Sequence, residues 1–210
     1  MDQRSGPIEI LEPQIGSDRS AIILAHGAGQ GMHAPFMVYF HTELANRGFF
    51  SAKFNFDYMN AGRRVPDSQP KLQARYRDVV REVLTRCAPD RLIIGGKSMG
   101  GRVASYIAGD TPGVSGLVFL GYPLHPPGKT DLLRDLHLYS LKIPMLFISG
   151  TKDPFAEPEL LENVVRKIGG HATLVWVEGG DHSLKRRRGD AASLVSAVDT
   201  IERWTREFTS

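Results

Sequence analysis

The sequence has little cysteine and no long hydrophobic run. Its single cysteine, Cys87, can form neither an intrachain disulfide nor a cysteine-ligated metal cluster, which is typical of a reducing compartment. No apolar run approaches the roughly 18 residues of a membrane-spanning helix. The segment Met1–Glu12 lacks the apolar stretch of a signal peptide. We therefore expect a soluble, cytoplasmic protein without membrane contact.

The sequence also lacks a strong excess of charge of either sign. Its 26 lysine and arginine residues and 23 aspartate and glutamate residues give a formal net charge of +3. So small an excess does not predict nucleic-acid binding. Hydrophobic residues make up 41% of the 210 positions, enough to bury a core without disulfides or a structural metal. We expect one domain, residues 1–210, with no metal and no organic cofactor.

Short apolar runs alternate along the chain with longer amphipathic segments. Runs of near-continuous apolar character indicate strands buried on both faces: Ile8–Leu11, Ala21–Ala25, Phe49–Phe56, Arg91–Ile94, Val114–Leu120, Ile143–Ile148 and Ala172–Val177. The segments between them have helical periodicity, and Cys87 lies on the apolar stripe of one, as expected for a buried core thiol. This alternation predicts an α/β fold, a three-layer α/β/α sandwich around a mostly parallel sheet of about seven strands.

The site in such a sheet lies beyond the carboxyl ends of the strands, where a serine motif is found. Gly96 to Gly100 read Gly-Lys-Ser-Met-Gly, after the strand Arg91–Ile94 and before a helical segment. In this context G-x-S-x-G places the serine on a strained turn, and side chains two residues before or after it would collide there. An ordinary glycine-rich turn is the alternative. The strand–turn–helix context predicts that Ser98 is a nucleophile.

An aspartate and a histidine follow two later strands. Asp153 comes after Ile143–Ile148 and can orient a histidine, although a turn or helix-capping role is the alternative. His182 follows the last strand, where a neutral imidazole can take the serine proton and return it to the leaving group. Asp181 is a rival aspartate, but neighbouring side chains on a loop usually diverge. The order serine, aspartate, histidine predicts a catalytic triad of Ser98, Asp153 and His182.

Acyl transfer also needs hydrogen-bond donors that face the developing oxyanion. One is the backbone N–H of Met99, which follows the serine. The second is expected from the loop after Ala21–Ala25, where we choose the N–H of Ala28, with Gly27 as the second choice. The same loop, residues 26–31, could instead cradle a phosphate. Its glycines do not match G-x-G-x-x-G, however, and no Gly-Lys-Ser/Thr follows.

Four motifs together resemble the α/β-hydrolase superfamily. They are His-Gly-Ala-Gly at 26–29, Gly-Lys-Ser-Met-Gly-Gly at 96–101, Ser-Gly-Thr-Lys-Asp-Pro at 149–154 and Gly-Gly-Asp-His at 179–182. The sequence is similar to the small, capless branch related to dienelactone hydrolases. Residues 63–67 and 121–127 resemble predicted hydrolases of that branch that include a testis-expressed animal homologue. The resemblance implies a hydrolase of carboxylic esters or related compounds. Dienelactone hydrolases have a cysteine where this chain has Ser98, so a dienelactone substrate is not implied.

The segment after the fifth predicted strand is too short for a cap domain. Only Tyr122–Lys142 separates it from the next strand, and this segment holds three prolines and one short helical stretch. We therefore expect an open site whose selectivity depends on a few loop residues. Five residues near strand ends or the glycine-rich loop are candidates to line the pocket, with simple loop packing as the alternative: Tyr122, Leu124, His125, Phe36 and Met37.

Two basic segments lie near the predicted site. Arg63 and Arg64, on the loop 57–70, could bind an anionic acyl group or a phosphate, but a solvated loop is the preferred interpretation. The run Lys185–Arg188 follows His182 and is interpreted as a charged surface turn, with attraction of acidic partners or nucleic acid as the alternative.

Taken together, the residues predict a serine hydrolase that cleaves a carboxylic ester or thioester of a small-molecule acyl substrate through an acyl-enzyme on Ser98. An acyltransferase would use the same residues. A binding or scaffold module with this fold is the alternative, although an intact triad has no purpose there. The oligomeric state does not follow from the sequence.

Overall fold

A central β-sheet organises the molecule. The computed structural model describes residues 6–13 and 19–207, and within them the strands are β1 (Ile8–Leu11), β2 (Ser20–Ala25), β3 (Phe50–Phe54), β4 (Arg91–Lys97), β5 (Val114–Leu120), β6 (Met145–Gly150) and β7 (Ala172–Val177). Their spatial order is β1-β3-β2-β4-β5-β6-β7. β1 pairs with β3 antiparallel, and the other neighbouring strands are parallel. The predicted mostly parallel, seven-stranded sheet is confirmed.

Helices cover both faces of this sheet. They are α1 (Pro35–Asn46), α2 (Asp57–Asn60), α3 (Gln69–Cys87), α4 (Met99–Ile107), α5 (Pro158–Ile168) and α6 (Ala192–Glu207), with a 3₁₀ helix at Leu136–Ser140. α3, α4 and α5 pack on one face, and α1 and α6 pack on the other. The three-layer sandwich is therefore confirmed, and the segment between β5 and β6 forms no cap domain. None of the helices within the described ranges is long and apolar enough to span a membrane.

Side chains of the central strands alternate between two hydrophobic cores. In β2, Ile23 packs in the core beneath α3 and α4, whereas Ile22 and Leu24 pack in the core beneath α1 and α6. The pleat of a strand produces this alternation. Because helices cover both faces, both sets are buried, at a gain of roughly 1.5–3 kcal/mol for each large aliphatic side chain. This is why the sequence of β2 is apolar from Ala21 to Ala25.

Strand boundaries differ from the apolar runs where backbone hydrogen bonding requires it. β6 begins at Met145 rather than Ile143. Pro144 has no N–H to donate to the ladder, and only its carbonyl takes part, accepting the N–H of Leu117 at 2.9 Å. β4 continues past Ile94 to Lys97, which carries the chain directly to the serine turn.

Cys87 is the last residue of α3, and its position limits its burial. Its side chain is half-buried and packs against the core, so it is less enclosed than the buried core thiol that the sequence predicted. Burial raises the pKa of the Cys87 thiol, which disfavours the nucleophilic thiolate.

Candidate active site

Ser98 occupies a strained turn between β4 and α4. Its φ and ψ angles are 50° and −116°, a region that non-glycine residues rarely adopt. A Cβ atom on Gly96 or on Gly100 would lie 2.2 Å from the carbonyl oxygen of Ala25. The two glycines therefore let the turn pack directly against β2. A side chain at either position would collide, as expected from the sequence, and the group it would collide with is the backbone of β2.

Asp153 and His182 form a hydrogen-bonded pair at the ends of β6 and β7. Nδ1 of His182 donates to Oδ2 of Asp153 at 2.8 Å, which assigns the proton to Nδ1 and leaves Nε2 for another partner. The Asp153 side chain is 0% exposed and that of His182 is 21% exposed. Oδ1 of Asp153 accepts the backbone N–H of Phe155 at 2.9 Å. The carboxylate is thus held on both oxygens, and the imidazole is oriented by a fixed group.

The rival aspartate, Asp181, has a different set of contacts. Its Oδ1 accepts the backbone N–H groups of Ser183 at 2.7 Å and Lys185 at 3.0 Å. It therefore closes the turn that follows His182. Of the two aspartates, the geometry places Asp153 on the imidazole.

One cavity of about 420 Å³ has both Ser98 and His182 in its lining. Within the described part of the chain, no hydrogen bond joins the Ser98 hydroxyl to His182. In structures without substrate, such contacts are commonly long and tighten when substrate is bound. Phe155 also lines the cavity, and its ring lies 4.4 Å from that of His182, centroid to centroid.

The glycine-rich loop after β2 borders the same cavity. Gly27, Ala28 and Met99 all line it, and a Cβ atom on Gly27 would lie 3.6 Å from Cβ of Ser98. Met99 is the first residue of α4, so its N–H has no partner within the helix. The residues that carry the expected oxyanion donors therefore line the same cavity as the serine.

A buried histidine fixes the start of this loop. Nε2 of His26 accepts the N–H of Phe56 at 3.2 Å, so Nδ1 carries the proton and donates to the carbonyl of Gly27 at 2.8 Å. Burial lowers the pKa of His26, which keeps the ring neutral and able to accept. Sequence reasoning assigned no role to His26, because its partner lies thirty residues away in the chain.

Two of the expected pocket residues, Tyr122 and Leu124, lie in the core instead. Both are buried, and neither lines the cavity. Gly121 has a φ of +68°, which turns the chain directly after β5. The ring of Tyr122 packs at 5.0 Å from that of Phe119, and its hydroxyl donates to the carbonyl of Arg134 at 2.7 Å. Both residues therefore have the packing role that the sequence offered as the alternative to lining the pocket.

The other three candidates also have packing roles. Met37 is buried in the core beneath α1, and Phe36 is half-buried beside it. His125 is buried, and its Nε2 accepts the N–H of Glu157 at 3.2 Å, which ties two loops together. None of the three lines the cavity.

Lys97 is a site residue that sequence reasoning missed. It lines the cavity but is only 6% exposed, and its Nζ donates to the backbone carbonyl of His182. Burial lowers the pKa of Lys97 to about 8, and the charges of Asp153 and Asp181 oppose that shift. Its Nζ also lies 5.6 Å from the ring centroid of Phe36. A lysine at the end of an otherwise apolar strand was the available signal.

The arginines of the loop 57–70 agree with the interpretation of a solvated loop. The loop of Arg63 does reach the cavity, through Pro66 and Asp67. Arg63 itself donates to Asp67 at 2.8 Å, and Arg64 is exposed. In the run after His182, residues 186–188 are exposed on a surface turn, as interpreted from the sequence.

No cluster of three or more histidine, cysteine, aspartate or glutamate side chains arranged to hold a metal ion occurs in residues 6–13 and 19–207.

A parallel sheet sandwiched between helices, with a serine on a strained strand–turn–helix connection, defines the α/β-hydrolase class. Residues 18–210 match the family model described as alpha/beta hydrolase domain. The chain therefore belongs to the alpha/beta hydrolase domain family, and the resemblance found in its motifs is confirmed.

Solved structures share this fold at low sequence identity. An α/β serine hydrolase without a lid from Xanthomonas campestris is 19% identical, with a TM-score of 0.75 over 96% of this chain and 87% of that one. The esterase Est2 from Thermogutta terrifontis, solved with propionate bound, is 18% identical, with a TM-score of 0.73 over 96% and 89%. A dienelactone hydrolase from Anabaena variabilis is 17% identical, with a TM-score of 0.72 over 95% and 90%.

Proposed function

We propose that this protein hydrolyses carboxylic esters or thioesters of small molecules through an acyl-enzyme on Ser98. The observation that carries the proposal is the 2.8 Å hydrogen bond between Asp153 and His182 beside the cavity lined by Ser98. A serine becomes nucleophilic when a base takes its proton and a third group orients that base. The strained serine turn and the nearby backbone donors support the same reaction.

In the proposed reaction, Oγ of Ser98 attacks the acyl carbon while Nε2 of His182 takes its proton. Asp153 stabilises the imidazolium that forms. The N–H groups of Met99 and Ala28, with Gly27 as the second choice, hydrogen-bond the oxyanion. His182 then gives the proton to the departing alkoxide or thiolate. Water, deprotonated by His182, attacks the acyl-enzyme and releases the acid.

The open cavity favours water or another small nucleophile at the second step. Within residues 6–13 and 19–207, no cap domain covers the site. The Xanthomonas campestris relative is described as a serine hydrolase without a lid. The esterase and hydrolase descriptions of the structural relatives support ester hydrolysis as the reaction of this chain.

The test is labelling with a fluorophosphonate, read by intact mass, together with turnover of 4-nitrophenyl acetate. We expect one adduct on the wild type, none on Ser98→Ala, and a fall in turnover of at least about 10⁴-fold in that variant. Ser140→Ala, which changes an exposed serine away from the cavity, serves as the matched control and should label normally. Failure of the folded wild type to label would favour a binding module over an enzyme.

A further inference from the structure

Two arginines line the cavity without a carboxylate partner. Arg102 and Arg134 both border it, and within the described ranges neither forms a salt bridge. Nε of Arg102 is buried and has no hydrogen-bond partner there. Nη1 of Arg134 donates to the carbonyl of Pro123 at 3.1 Å, so its other guanidinium nitrogen atoms remain for a ligand. Guanidinium groups with unused donors in a cavity are well suited to bind an oxyanion.

The carboxylate that lines this cavity does not neutralise them. Asp67 borders the cavity, but Arg63 already donates to it at 2.8 Å. Burial lowers the pKa of Arg134, and the charge of Arg102 lowers it further. The two cations are therefore close enough to repel each other. An anion between them would relieve that repulsion.

The position of Arg102 is unfavourable without such an anion. Its backbone N–H donates to the carbonyl of Ser98 at 3.1 Å, so it lies in the first turn of α4, one turn after the serine. The N-terminus of a helix carries partial positive charge and favours acidic side chains or bound anions. A cation at this place adds to the positive charge. A bound anion would interact favourably with both the guanidinium group and the helix.

The backbone holds Arg134 at the cavity. Its N–H donates to the carbonyl of Leu124 at 2.8 Å, and its carbonyl accepts the hydroxyl of Tyr122 at 2.7 Å. The segment between β5 and β6 thus presents this guanidinium group from a fixed loop. Fixed donors bind an anion at a lower entropic cost than mobile ones.

We propose that Arg102 and Arg134 bind a carboxylate of the substrate, so that the enzyme prefers small esters that carry a second, anionic carboxyl group. This inference rests on the proposed ester hydrolysis for its kinetic test. It assigns the selectivity of the cavity to Arg102, one turn after Ser98, and to Arg134, in the segment between β5 and β6. It assigns anion binding to Arg102 and Arg134 rather than to Arg63 and Arg64, for which the sequence favoured a solvated loop.

Matched pairs of esters test the preference and locate the carboxylate. 4-Nitrophenyl hemisuccinate carries it on the acyl side, and 4-nitrophenyl levulinate is its near-isosteric neutral partner. 4-Acetoxybenzoate carries it on the alcohol side, and its methyl ester is neutral. We expect the anionic member of one pair to have a kcat/KM about 10- to 100-fold higher than its partner after correction for intrinsic reactivity. Equal values within both pairs would overturn the proposal.

Variants tie the preference to the arginines. Arg134→Gln should lose most of it, because KM for the anionic ester rises more than KM for the neutral partner. Arg102→Gln should act likewise, and Arg134 provides an independent test if that variant fails to fold. The control is Arg64→Gln, on the exposed loop, which should keep the preference. A preference that is lost in Arg64→Gln and kept in Arg134→Gln contradicts the assignment.

A binding measurement separates this inference from the proposed reaction. The Ser98→Ala protein is titrated with glutarate, and with inorganic phosphate for comparison. Glutarate binding that disappears in Ser98→Ala/Arg134→Gln supports the subsite even if no ester is turned over. Turnover of neutral esters by the wild type, with no glutarate binding, would refute the subsite and leave ester hydrolysis standing. Binding of phosphate without glutarate would also overturn the carboxylate assignment.

Discussion

The cavity around Ser98 has two sides that treat charge differently. On the histidine side, consisting of Lys97, Asp153 and His182, the charged groups are partnered: the carboxylate accepts from the imidazole and from a backbone N–H, and the ammonium donates to the His182 carbonyl. On the arginine side, consisting of Arg102 and Arg134, neither guanidinium group meets a carboxylate within the described residues.

The difference separates groups that position one another from groups that await a ligand. Buried polar groups in folded proteins are nearly always hydrogen-bonded, and exceptions call for an explanation. The paired groups of the histidine side hold their geometry before substrate arrives, as electrostatic catalysis requires. The unpaired donors of the arginine side cost stability in the free protein. A ligand that pairs with them recovers that cost as binding energy.

The largest effect is expected on the histidine side, from Asp153→Asn. The amide presents an N–H₂ group or a neutral oxygen to Nδ1, so the imidazole loses its preferred tautomer and the stabilisation of its charged form. We expect kcat to fall by about 10⁴-fold. The measurement is turnover of 4-nitrophenyl acetate, with circular dichroism to verify folding.

Asp181→Asn is the matched control, because an amide oxygen can still accept the N–H groups of Ser183 and Lys185. Its turnover should stay within about threefold of wild type, since surface changes of this kind alter little. A greater loss of turnover in Asp181→Asn than in Asp153→Asn would mean that Asp181, and not Asp153, orients the imidazole.

Lys97→Met tests whether the partnered groups act as a unit. Methionine fills a similar volume but cannot donate to the His182 carbonyl, so the loop that carries the imidazole loses an anchor. Displacement of a reacting group by about 1 Å can reduce the rate about 100-fold. We expect kcat to fall about 10- to 100-fold, with KM for a neutral ester nearly unchanged.

The pH dependence of that variant distinguishes an anchor from a space-filling residue. Burial lowers the pKa of Lys97 to about 8, so the kcat of the wild type should fall as the pH rises through about 8 and the ammonium loses its proton. This change should be absent from Lys97→Met. A profile shared by both proteins would mean that Lys97 only fills space.

The sequence singled out Asp153 and His182 on the histidine side but missed Lys97 there, and it missed both residues of the arginine side. Ser98, Asp153 and His182 each follow a strand end, and their order and the flanking glycines are local features that survive without knowledge of side-chain packing. Arg102 and Arg134 reach the cavity through helix phase and through the loop between β5 and β6. Those directions depend on contacts between distant segments, which periodicity does not encode.

The pocket candidates were missed for a related reason. Tyr122 follows a strand end, as a pocket residue would, but the turn at Gly121 sends its ring back to Phe119 in the core. The fold itself was predictable because both faces of the sheet are covered, which makes each central strand a continuous apolar run. Strand bounds shifted at Pro144, at the serine turn and in β3, which spans Phe50–Phe54 rather than Phe49–Phe56.

The smallest effect concerns a histidine behind the arginine side. Nε2 of His137 donates to Oγ of Ser105 at 2.8 Å, and that hydroxyl donates to the carbonyl of Arg102 at 2.7 Å. The pKa of His137 is lowered to about 4, first by burial and then by the charge of Arg102, while Asp135 opposes the shift. The excess positive charge of the arginine side therefore extends to its neighbours.

The sign of the stability effect follows from this pKa. Between about pH 6.5 and pH 4 the unfolded chain binds a proton at His137 that the folded chain does not, so the free energy of unfolding falls as the pH is lowered through this range. His137→Gln keeps a donor for Ser105 and removes the titration. The fall in Tm between pH 7 and pH 4.5 should be about 2–4 °C smaller in His137→Gln than in the wild type.

His171→Gln is the control, because His171 is an exposed residue away from the cavity. The difference between its Tm at pH 7 and its Tm at pH 4.5 should match that of the wild type. Burial also lowers the pKa of His41 to about 4. His41 is present in every variant, so part of the acid sensitivity persists.

Arg102→Gln provides a further test of the charge on the arginine side. Loss of its charge should raise the pKa of His137, measured by NMR titration. An unchanged pKa there would mean that the charge of the arginine side is already neutralised in solution.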